Sequence, residues 1–339
     1  MKRWIFWLGI AISALFLFLA LRGLDLPHIW QVVRNADFLW LLPAVLIYFI
    51  DVLVRSIRWQ MLMQPVSQIP LSFAFPLTAI GYFGNNIFPA RAGELLRPVL
   101  MKRRYHIPIS TSLATVLVER VFDGVVILGF IVFNLSAFSG TSASTSYISS
   151  IHSLAFWATI IFLGILIIFI LAALFPSQAE KTLLKVIGAV LPMRWRKPAA
   201  DIIRRFLGGL KLFRSPRWSL LVLAASIVAW LLETLTYWLV MRAFPFSASP
   251  NALMLMNGVA NLATTIPSAP GYIGTFDAPS IALLTALGVK AELAAGYTLV
   301  LHATLWLPIT LVGGIFFAIE GLDWSHELDQ AKRERQSAQ

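Results

Sequence analysis

The stretch 84–104, GNNIFPARAGELLRPVLMKRR, combines side chains that bind anions with residues that interrupt a helix. A helix that begins near Gly93 would place residues spaced three apart on roughly one face. Guanidinium groups beside the free N–H groups at a helix start suit a phosphate. The side chains concerned are Asn85, Asn86, Arg91, Glu94 and Arg97. The alternative is a cytoplasmic loop whose basic residues only orient the protein in a membrane.

The elements that position these residues belong to a polytopic membrane protein. Of the 339 residues, 58% are hydrophobic and 13% are charged, whereas about 25% of residues are charged in soluble domains. The net charge is +11, and the basic residues lie between apolar segments and in the tails. This distribution favours anionic lipid headgroups over nucleic acid as the partner. The chain has no cysteine, which excludes disulfides and thiolate chemistry.

The hydropathy pattern predicts an all-α protein with about six full transmembrane helices and two re-entrant helical hairpins. Segment 72–89 is apolar but interrupted. Segments 251–266 and 275–288 are short for a complete crossing, which favours a re-entrant pair; the alternative is that both of them and the last span cross the membrane, which also leaves the tail inside. Irregular backbone at membrane depth is tolerated only where protein or a watery cavity surrounds it. The full spans are expected at about 4–21, 38–62, 111–135, 154–175, 218–240 and 293–319.

The distribution of Lys and Arg predicts the topology. The stretch 176–217 contains ten such residues and 136–153 contains none, so the first is expected in the cytoplasm and the second outside. Segment 90–109 carries five and must also be inside, which requires 72–89 to dip into the membrane and return. Both termini are then cytoplasmic. We expect one transmembrane domain over 1–322 and a short polar tail over 323–339.

Within that domain, 176–217 is basic and amphipathic and is expected to lie on the cytoplasmic membrane surface. Pro192 and Pro198 are expected to break it into one or two helices. The chain also shows a repeated spacing, because Pro89 and Gly93 are separated as Pro267 and Gly271 are. Interrupted apolar segments at corresponding places in two halves indicate a transporter site, although chance could also produce this spacing. We therefore predict pseudo-repeated halves.

Charged residues also fall inside the predicted spans, where each costs at least a few kcal/mol unless it is paired or hydrated. Asp51 and Arg55 are spaced to form an ion pair, and Arg58 on the same face has either a cavity role or snorkels to the surface. In the next full span, the carboxylates are expected to hold phosphate-facing arginines. The residues of that span are Glu119, Arg120 and Asp123.

Further polar residues in the second half are Glu233, Asp277 and His302. A lone histidine in a span is more typical of a helix–helix hydrogen bond than of a proton relay. Nucleotide-binding, zinc-protease and serine-hydrolase motifs are absent from the sequence. We therefore predict no catalytic residue, no metal site and no cofactor, and we do not expect an enzyme.

NNIFPARAGELLRP, LVERVFD at 117–123 and IPSAPGYIGTFD at 266–277 together resemble the flippase-like membrane domain family. This family includes the membrane region of bacterial lysylphosphatidylglycerol synthases and many stand-alone proteins. The resemblance covers about 5–320 and implies re-entrant segments and movement of a lipid between leaflets. In the second motif, Tyr272 interrupts the expected glycine pair and Asp277 stands in place of a glutamate. The segment after the last span is too short for the synthases' aminoacyl-transfer domain, so lysyl-lipid synthesis is not expected.

The sequence thus predicts a lipid translocator in a bacterial or archaeal cytoplasmic membrane, which binds the phosphate of an anionic or polyprenyl-linked lipid. The alternatives are a lipid-phosphate-modifying enzyme and a membrane partner of a cytosolic lipid- or glycan-modifying enzyme. A homo-oligomer or a separate cytosolic enzyme is left open as partner. The predicted substrate-binding residues are Asp51, Arg55, Arg58, Asn85, Asn86, Arg91, Glu94, Arg97, Glu119, Arg120, Asp123, Pro267, Gly271 and Asp277.

Overall fold

The computed structural model describes residues 11, 14–19, 21–88, 93–135, 145–190, 192–266 and 268–337. All regular secondary structure in these ranges is helical, as predicted. Short 3-10 helices cover Phe38–Trp40, Leu210–Arg214 and Pro270–Tyr272. The α-helices are α1 (Leu26–Arg34), α2 (Leu41–Met63), α3 (Leu71–Ile87), α4 (Gly93–Tyr105), α5 (Ile109–Leu135), α6 (Thr145–Leu174), α7 (Pro176–Val190), α8 (Met193–Gly209), α9 (Pro216–Met241), α10 (Pro250–Ala263), α11 (Asp277–Ala286) and α12 (Ala291–Ser337).

Three helices of the described chain are long and apolar enough to cross a membrane: Phe38–Met63, Pro216–Met241 and Ala291–Glu320. A fourth is added if Ile160–Leu174 and Pro176–Ala189, which are bent by 112°, count as one span. These helices match the spans predicted near 38–62, 218–240 and 293–319. Helix α5 has 27 residues, which is long enough to cross, but it carries three charged residues. The predicted span 4–21 lies mostly outside the described residues.

The basic segment that follows α6 is helical and turns sharply away from it. The bend comes at Phe175, between α6 and α7, where the apolar run was predicted to end. Pro192 is the residue before α8, as predicted, but Pro198 lies inside α8 and does not break it. That part of the prediction was wrong. Pro198 falls in the second turn, where its missing N–H removes one backbone hydrogen bond and leaves the rest of the helix intact.

Helices α3 and α4 form an antiparallel hairpin. At its open end the rings of Phe73 and Tyr105 are 5.0 Å apart. Near its tip, a Cβ on Gly93 would lie 2.0 Å from the carbonyl oxygen of Gly81, and a Cβ on Gly84 would lie 2.6 Å from the Gly93 Cα. Only glycines allow the two backbones to approach this closely. Helix α4 begins at Gly93, as the sequence predicts.

A second hairpin is formed by α10 and α11. The connection between them contains two glycines with positive φ, Gly271 at 72° and Gly274 at 83°. Tyr272 also has a positive φ, 59°, which is uncommon for a residue with a Cβ. The tip of the second hairpin, 270–276, therefore has an irregular backbone, as expected from its Pro and Gly content.

The tips of both hairpins meet the middle of α12. Asn86 donates from Nδ2 to Thr310 Oγ1 over 2.7 Å, and His302 Nε2 lies 2.7 Å from the Gly271 carbonyl oxygen. The apolar part of α12 runs from Ala291 to Glu320, so 302–310 is near its centre. The two tips thus reach the same level of a membrane-length helix.

The two hairpins approach α12 from opposite ends. The open end of the first lies by the end of the apolar part, where the rings of Phe75 and Phe316 are 6.1 Å apart. Arg103 also donates to the Glu320 carbonyl oxygen over 3.3 Å. The second hairpin ends at Ala286, a few residues before α12 begins.

Each hairpin packs against a long helix that belongs to the other half of the chain. Helices α2 and α9 pack against each other and run antiparallel. Helix α5 follows the first hairpin but packs against the second, since a Cβ on Gly258 would lie 2.7 Å from the Ile131 side chain. Helix α12 follows the second hairpin but packs against the first at Gly313 and Ala79. Each hairpin is thus supported by a long helix from the other half of the chain.

Candidate functional site

Arg55 links two helices of the bundle, α2 and α9, through buried ion pairs. Its Nε donates to both carboxylate oxygens of Asp51 at 2.9 Å, so the predicted Asp51–Arg55 pair is confirmed. Its Nη2 donates to Glu233 Oε2 on α9 over 2.7 Å. Its guanidinium also lies 4.5 Å from the centre of the Trp230 ring, within range of a cation–π interaction. Arg55 therefore joins two carboxylates that would be costly to bury alone.

Arg58, one turn further along α2, is fully buried. It donates to Glu119 over 2.8 Å and to Asp123, both on α5. It also donates to Ser226 Oγ on α9 over 2.9 Å. The snorkelling that the sequence left open for Arg58 does not occur, because the facing helices supply two carboxylates and a hydroxyl to its Nη1 and Nη2 groups inside the bundle.

Arg97 projects from α4 toward α5 and not into a cavity. Its guanidinium donates to Glu119 and lies 4.8 Å from the centre of the Trp59 ring. Its side chain is 5% exposed. The carboxylate of Glu119 thus accepts from Arg58 on one oxygen and from Arg97 on the other. Glu119 therefore ties the first hairpin to α2 and α5.

Arg120 differs from these arginines in its exposure and in the length of its contacts. Its side chain is 31% exposed, and its nitrogens lie 3.3 Å from Glu119, 3.3 Å from Asp123 and 3.4 Å from Glu94. These distances exceed those of a strong charge-assisted hydrogen bond, which is about 2.7–2.9 Å. Arg120 can therefore exchange a carboxylate for another anion at lower cost than Arg55 or Arg58.

A cavity of about 130 Å³, with charged and amide side chains in its wall, lies between the two hairpin tips. It is lined by residues of α2, α3, α4, α5, α9, α10, the second tip and α12. Charged groups of both signs face it, so it offers partners to an anion and to a cation. The lining residues are Tyr48, Arg55, Tyr82, Asn85, Asn86, Glu94, Arg120, Trp230, Glu233, Asn261, Thr264, Gly271, Tyr272, Phe276, His302, Leu305 and Trp306.

The predicted substrate-binding residues separate into three groups. Those that line the cavity are Arg55, Asn85, Asn86, Glu94, Arg120 and Gly271. Those that lie in buried polar contacts behind it are Asp51, Arg58, Arg97, Glu119, Asp123 and Asp277. Arg91 and Pro267 lie outside the described residues.

Several cavity residues were not among the predicted site residues. Glu233 and His302 had a signal, since each is a polar residue in an apolar span. Asn261 donates from Nδ2 to Glu233 Oε1 over 2.9 Å. The sequence did not single out this amide, because it lies near the end of a short apolar segment. Tyr48 and Tyr82 gave no signal, because aromatic residues are common throughout apolar spans. His302 does form the hydrogen bonds between elements that the sequence favoured for it.

The model of the lysylphosphatidylglycerol synthase transmembrane region matches residues 6–313. The chain belongs to this family. The resemblance seen in the sequence motifs is thereby confirmed. The family is defined by a membrane region and is not itself a catalytic family.

Relatives of this synthase transmembrane family include archaeal proteins. The chain is 24% identical over 333 residues to Glycosyltransferase AglD of Haloferax volcanii, covering 91% of this chain and 53% of that protein. It thus spans about half the length of AglD. It is 24% identical to a UPF0104 membrane protein of Methanothermobacter thermautotrophicus, with 93% of each chain covered. A UPF0104 membrane protein of Pyrococcus horikoshii is 26% identical, with 84% of this chain and 88% of that one covered.

Asp123 is a carboxylate of the buried network and does not face the cavity. Among the described residues, no group of three or more His, Asp or Glu side chains is arranged to hold a metal ion. Asp123 accepts from Arg58 and from the Trp230 indole and is absent from the cavity lining. It is therefore not placed to act on a bound molecule.

Proposed function

We propose that the protein translocates a lipid across a cytoplasmic membrane and that the lipid headgroup occupies the cavity between the hairpin tips. The observation that carries this proposal is a cavity with charged side chains in its wall at the middle of helices long enough to span a bilayer. A charged cavity at that depth is costly and is characteristic of a substrate pathway. A phosphate is the group that its arginines would recognise.

Arg120 is the residue that we assign to the phosphate. It combines partial exposure with long contacts to three carboxylates. Asn85 lines the same cavity, and its amide can donate to headgroup oxygens. Asn86 also lines it, but its Nδ2 already donates to Thr310 Oγ1 and to the Trp306 carbonyl oxygen, so it positions the first tip. Arg55 contributes positive charge but is held by Asp51 and Glu233. Arg58 and Arg97 support the site by fixing Glu119, and Arg91 stays a proposed headgroup ligand from the sequence.

The two hairpins are proposed to be re-entrant and to enter the membrane from opposite sides. Their tips meet α12 near its centre, and their open ends lie toward its two ends. Such an arrangement places the irregular backbone of the second tip, 270–276, where it lines a cavity, as a bilayer requires. The termini and 176–217 are then cytoplasmic, with about six full crossings in one domain over 1–322.

The packing also supports pseudo-repeated halves with inverted topology. In each half a long helix is followed by a hairpin and another long helix: α2 to α5, and α9 to α12. Helices α2 and α9 are antiparallel, as a two-fold axis in the membrane plane requires. Inverted repeats commonly provide alternating access by rocking one half against the other. We propose this mechanism for the lipid site.

The lipid class is an anionic phospholipid or a polyprenyl-linked lipid. The match to AglD, which is named a glycosyltransferase, favours a lipid that carries a glycan, and it favours a glycan-modifying enzyme as the partner in the cell. The alternative of a lipid-phosphate-modifying enzyme now rests on Glu94, since Asp123 is enclosed.

The proposal is tested with the purified protein in phosphatidylglycerol vesicles that contain fluorescent phosphatidylglycerol or, separately, a fluorescent polyprenyl phosphate. We expect the native chain to expose inner-leaflet probe to external dithionite and Arg120→Ala to lose at least tenfold in rate. Arg204→Ala is the matched control, because Arg204 is exposed and pairs with Glu180 on the surface. No flipping of either lipid, or equal rates for the two variants, would contradict the assignment.

A further inference from the structure

His302 lies between two oxygen atoms of the second hairpin. Its Nδ1 is 2.8 Å from Asp277 Oδ1, and its Nε2 is 2.7 Å from the Gly271 carbonyl oxygen. The other carboxylate oxygen of Asp277 accepts from the Gly274 N–H over 2.8 Å. One side chain of α12 therefore holds both the start and the end of the hairpin tip.

This geometry requires an additional proton. A neutral imidazole has one N–H, so it can donate to one of the two oxygens and would direct a lone pair at the other. Both bonds form if His302 is an imidazolium, or if Asp277 carries the proton and donates to Nδ1. In either form the pair binds one proton more than a neutral histidine beside a carboxylate.

We propose that the His302–Asp277 pair is a proton-binding site that controls the second hairpin tip and supplies the coupling ion for transport. With the proton bound, two hydrogen bonds of His302 hold the tip against α12. Loss of the proton removes one of the two bonds. The tip contains Tyr272 and Gly271 in left-handed conformations, and Tyr272 persists there only while its surroundings hold it.

The site is placed to connect a proton with the headgroup cavity. His302, Gly271 and Phe276 all line that cavity, and the His302 side chain is 15% exposed. Water in the cavity can therefore deliver or remove the proton. Movement of the tip would change the wall of the cavity in which the headgroup is proposed to bind. The proton coupling therefore rests on the proposed function.

Other titratable groups face the same cavity from every surrounding helix. Arginines of α2 and α5 oppose a charge on His302, whereas glutamates of α4 and α9 favour it. Asp277 is hydrogen-bonded directly to the imidazole, so it has the largest influence on the proton. The groups are Tyr48, Arg55, Tyr82, Glu94, Arg120, Glu233 and Tyr272.

The first test follows the tip and needs no lipid substrate. The chain has no native cysteine, so a nitroxide on Ile273→Cys reports only on the tip, where Ile273 is 46% exposed. We expect an immobile spectrum at pH 6 and a mobile one at high pH, with a mobile spectrum at all pH values in the His302→Gln background. A spectrum unchanged between pH 5.5 and 9, or a pH response that persists in His302→Gln, would overturn the proposal.

The second test observes the proton by ¹⁵N NMR of histidine-labelled protein. The chain has five histidines, and the His302→Gln variant assigns the resonance. We expect both ring nitrogens to report N–H, or Nδ1 to report a hydrogen bond from a protonated Asp277, at pH values where the other histidines are neutral. Asp277→Asn should abolish the difference between His302 and the other histidines. The resonance that changes in Asp277→Asn also assigns His302 if the His302→Gln variant fails to fold. A neutral His302 with a free Nδ1 lone pair would overturn the proposal.

The coupling is tested in the phosphatidylglycerol vesicles with a pH gradient. We expect the gradient to change the flipping rate of the native chain and not that of Asp277→Asn. Equal gradient dependence in both would remove coupling while leaving the proposed translocation intact. Absence of flipping in any condition would instead contradict the translocator proposal, and the spectroscopic tests would still decide the proton site.

Discussion

Arg55 donates to Glu233 across 178 positions of the chain, and the same separation relates Pro89 to Pro267 and Gly93 to Gly271. Two equivalent residues in a two-fold repeat touch each other only where they lie on the axis. The pair therefore marks the axis of the proposed repeat, at the crossing of antiparallel α2 and α9 and in the wall of the cavity.

This contact predicts unequal effects for its two members. Arg55→Ala leaves the carboxylates of Asp51 and Glu233 buried without their cation, which costs about 3–5 kcal/mol for a broken buried pair. Glu233→Gln keeps an acceptor for Arg55 and should cost less. Thermal unfolding in detergent measures both, and an equal fall in Tm would contradict this interpretation of the pair.

Arg97→Ala should lower stability as well as transport. The substitution leaves one oxygen of Glu119 without a donor and removes a guanidinium packed near Trp59, so we expect a loss of about 3 kcal/mol or more. The sequence alone placed Arg97 among the substrate-binding residues, and a residue with only that role would lower transport without lowering stability. Unfolding of Arg97→Ala is compared with exposed Arg204→Ala, which should be near native. A fully stable Arg97→Ala variant would show that the buried Arg97 side chain contributes little to the stability of the protein.

Gly93→Ala should disrupt the first hairpin. Its methyl group would lie 2.0 Å from the Gly81 carbonyl oxygen and 2.4 Å from the Asn85 nitrogen, and both are backbone atoms that cannot move alone. Gly208→Ala in α8 is the control, since nothing lies within 4 Å of its Cβ position and alanine favours a helix. We expect low yield and low Tm for the first variant only. Equal Tm values would exclude the close approach of α3 and α4.

Asn86 and Thr310 should be energetically coupled. The amide donates to the hydroxyl over 2.7 Å and links the first tip to α12. Such bonds contribute about 0.6 kcal/mol on average in membrane proteins. A double-mutant cycle with Asn86→Ala and Thr310→Val measures the coupling through unfolding in detergent. Strict additivity of the two effects would show that the contact does not stabilise the tip.

The proposed topology predicts where single cysteines react. Gln68 and Lys102 are exposed residues at the open end of the first hairpin, and Ser247 is exposed between α9 and α10. A membrane-impermeant maleimide should label Gln68→Cys and Lys102→Cys from the cytoplasmic side and Ser247→Cys from outside. Labelling of Lys102→Cys from outside would show that α3 crosses the membrane completely.

Local spacing in the sequence was sufficient for the contacts within one helix. Asp51 pairs with Arg55 at i+4 and Arg120 contacts Asp123 at i+3, because helix geometry brings such residues together wherever the helix lies. The start of α4 at Gly93 was likewise predictable, since proline and glycine interrupt helices through their own backbone properties.

Contacts between helices depended on the tertiary structure. The sequence showed acidic and basic residues in the spans but not that Arg97 turns to Glu119 while Arg120 stays partly exposed. The sequence also did not show that Glu233 forms an ion pair with Arg55, or that His302 forms hydrogen bonds with the second tip. These relationships are set by which faces of α2, α5, α9 and α12 pack together, and helix periodicity fixes a residue's face without fixing the neighbour that this face meets.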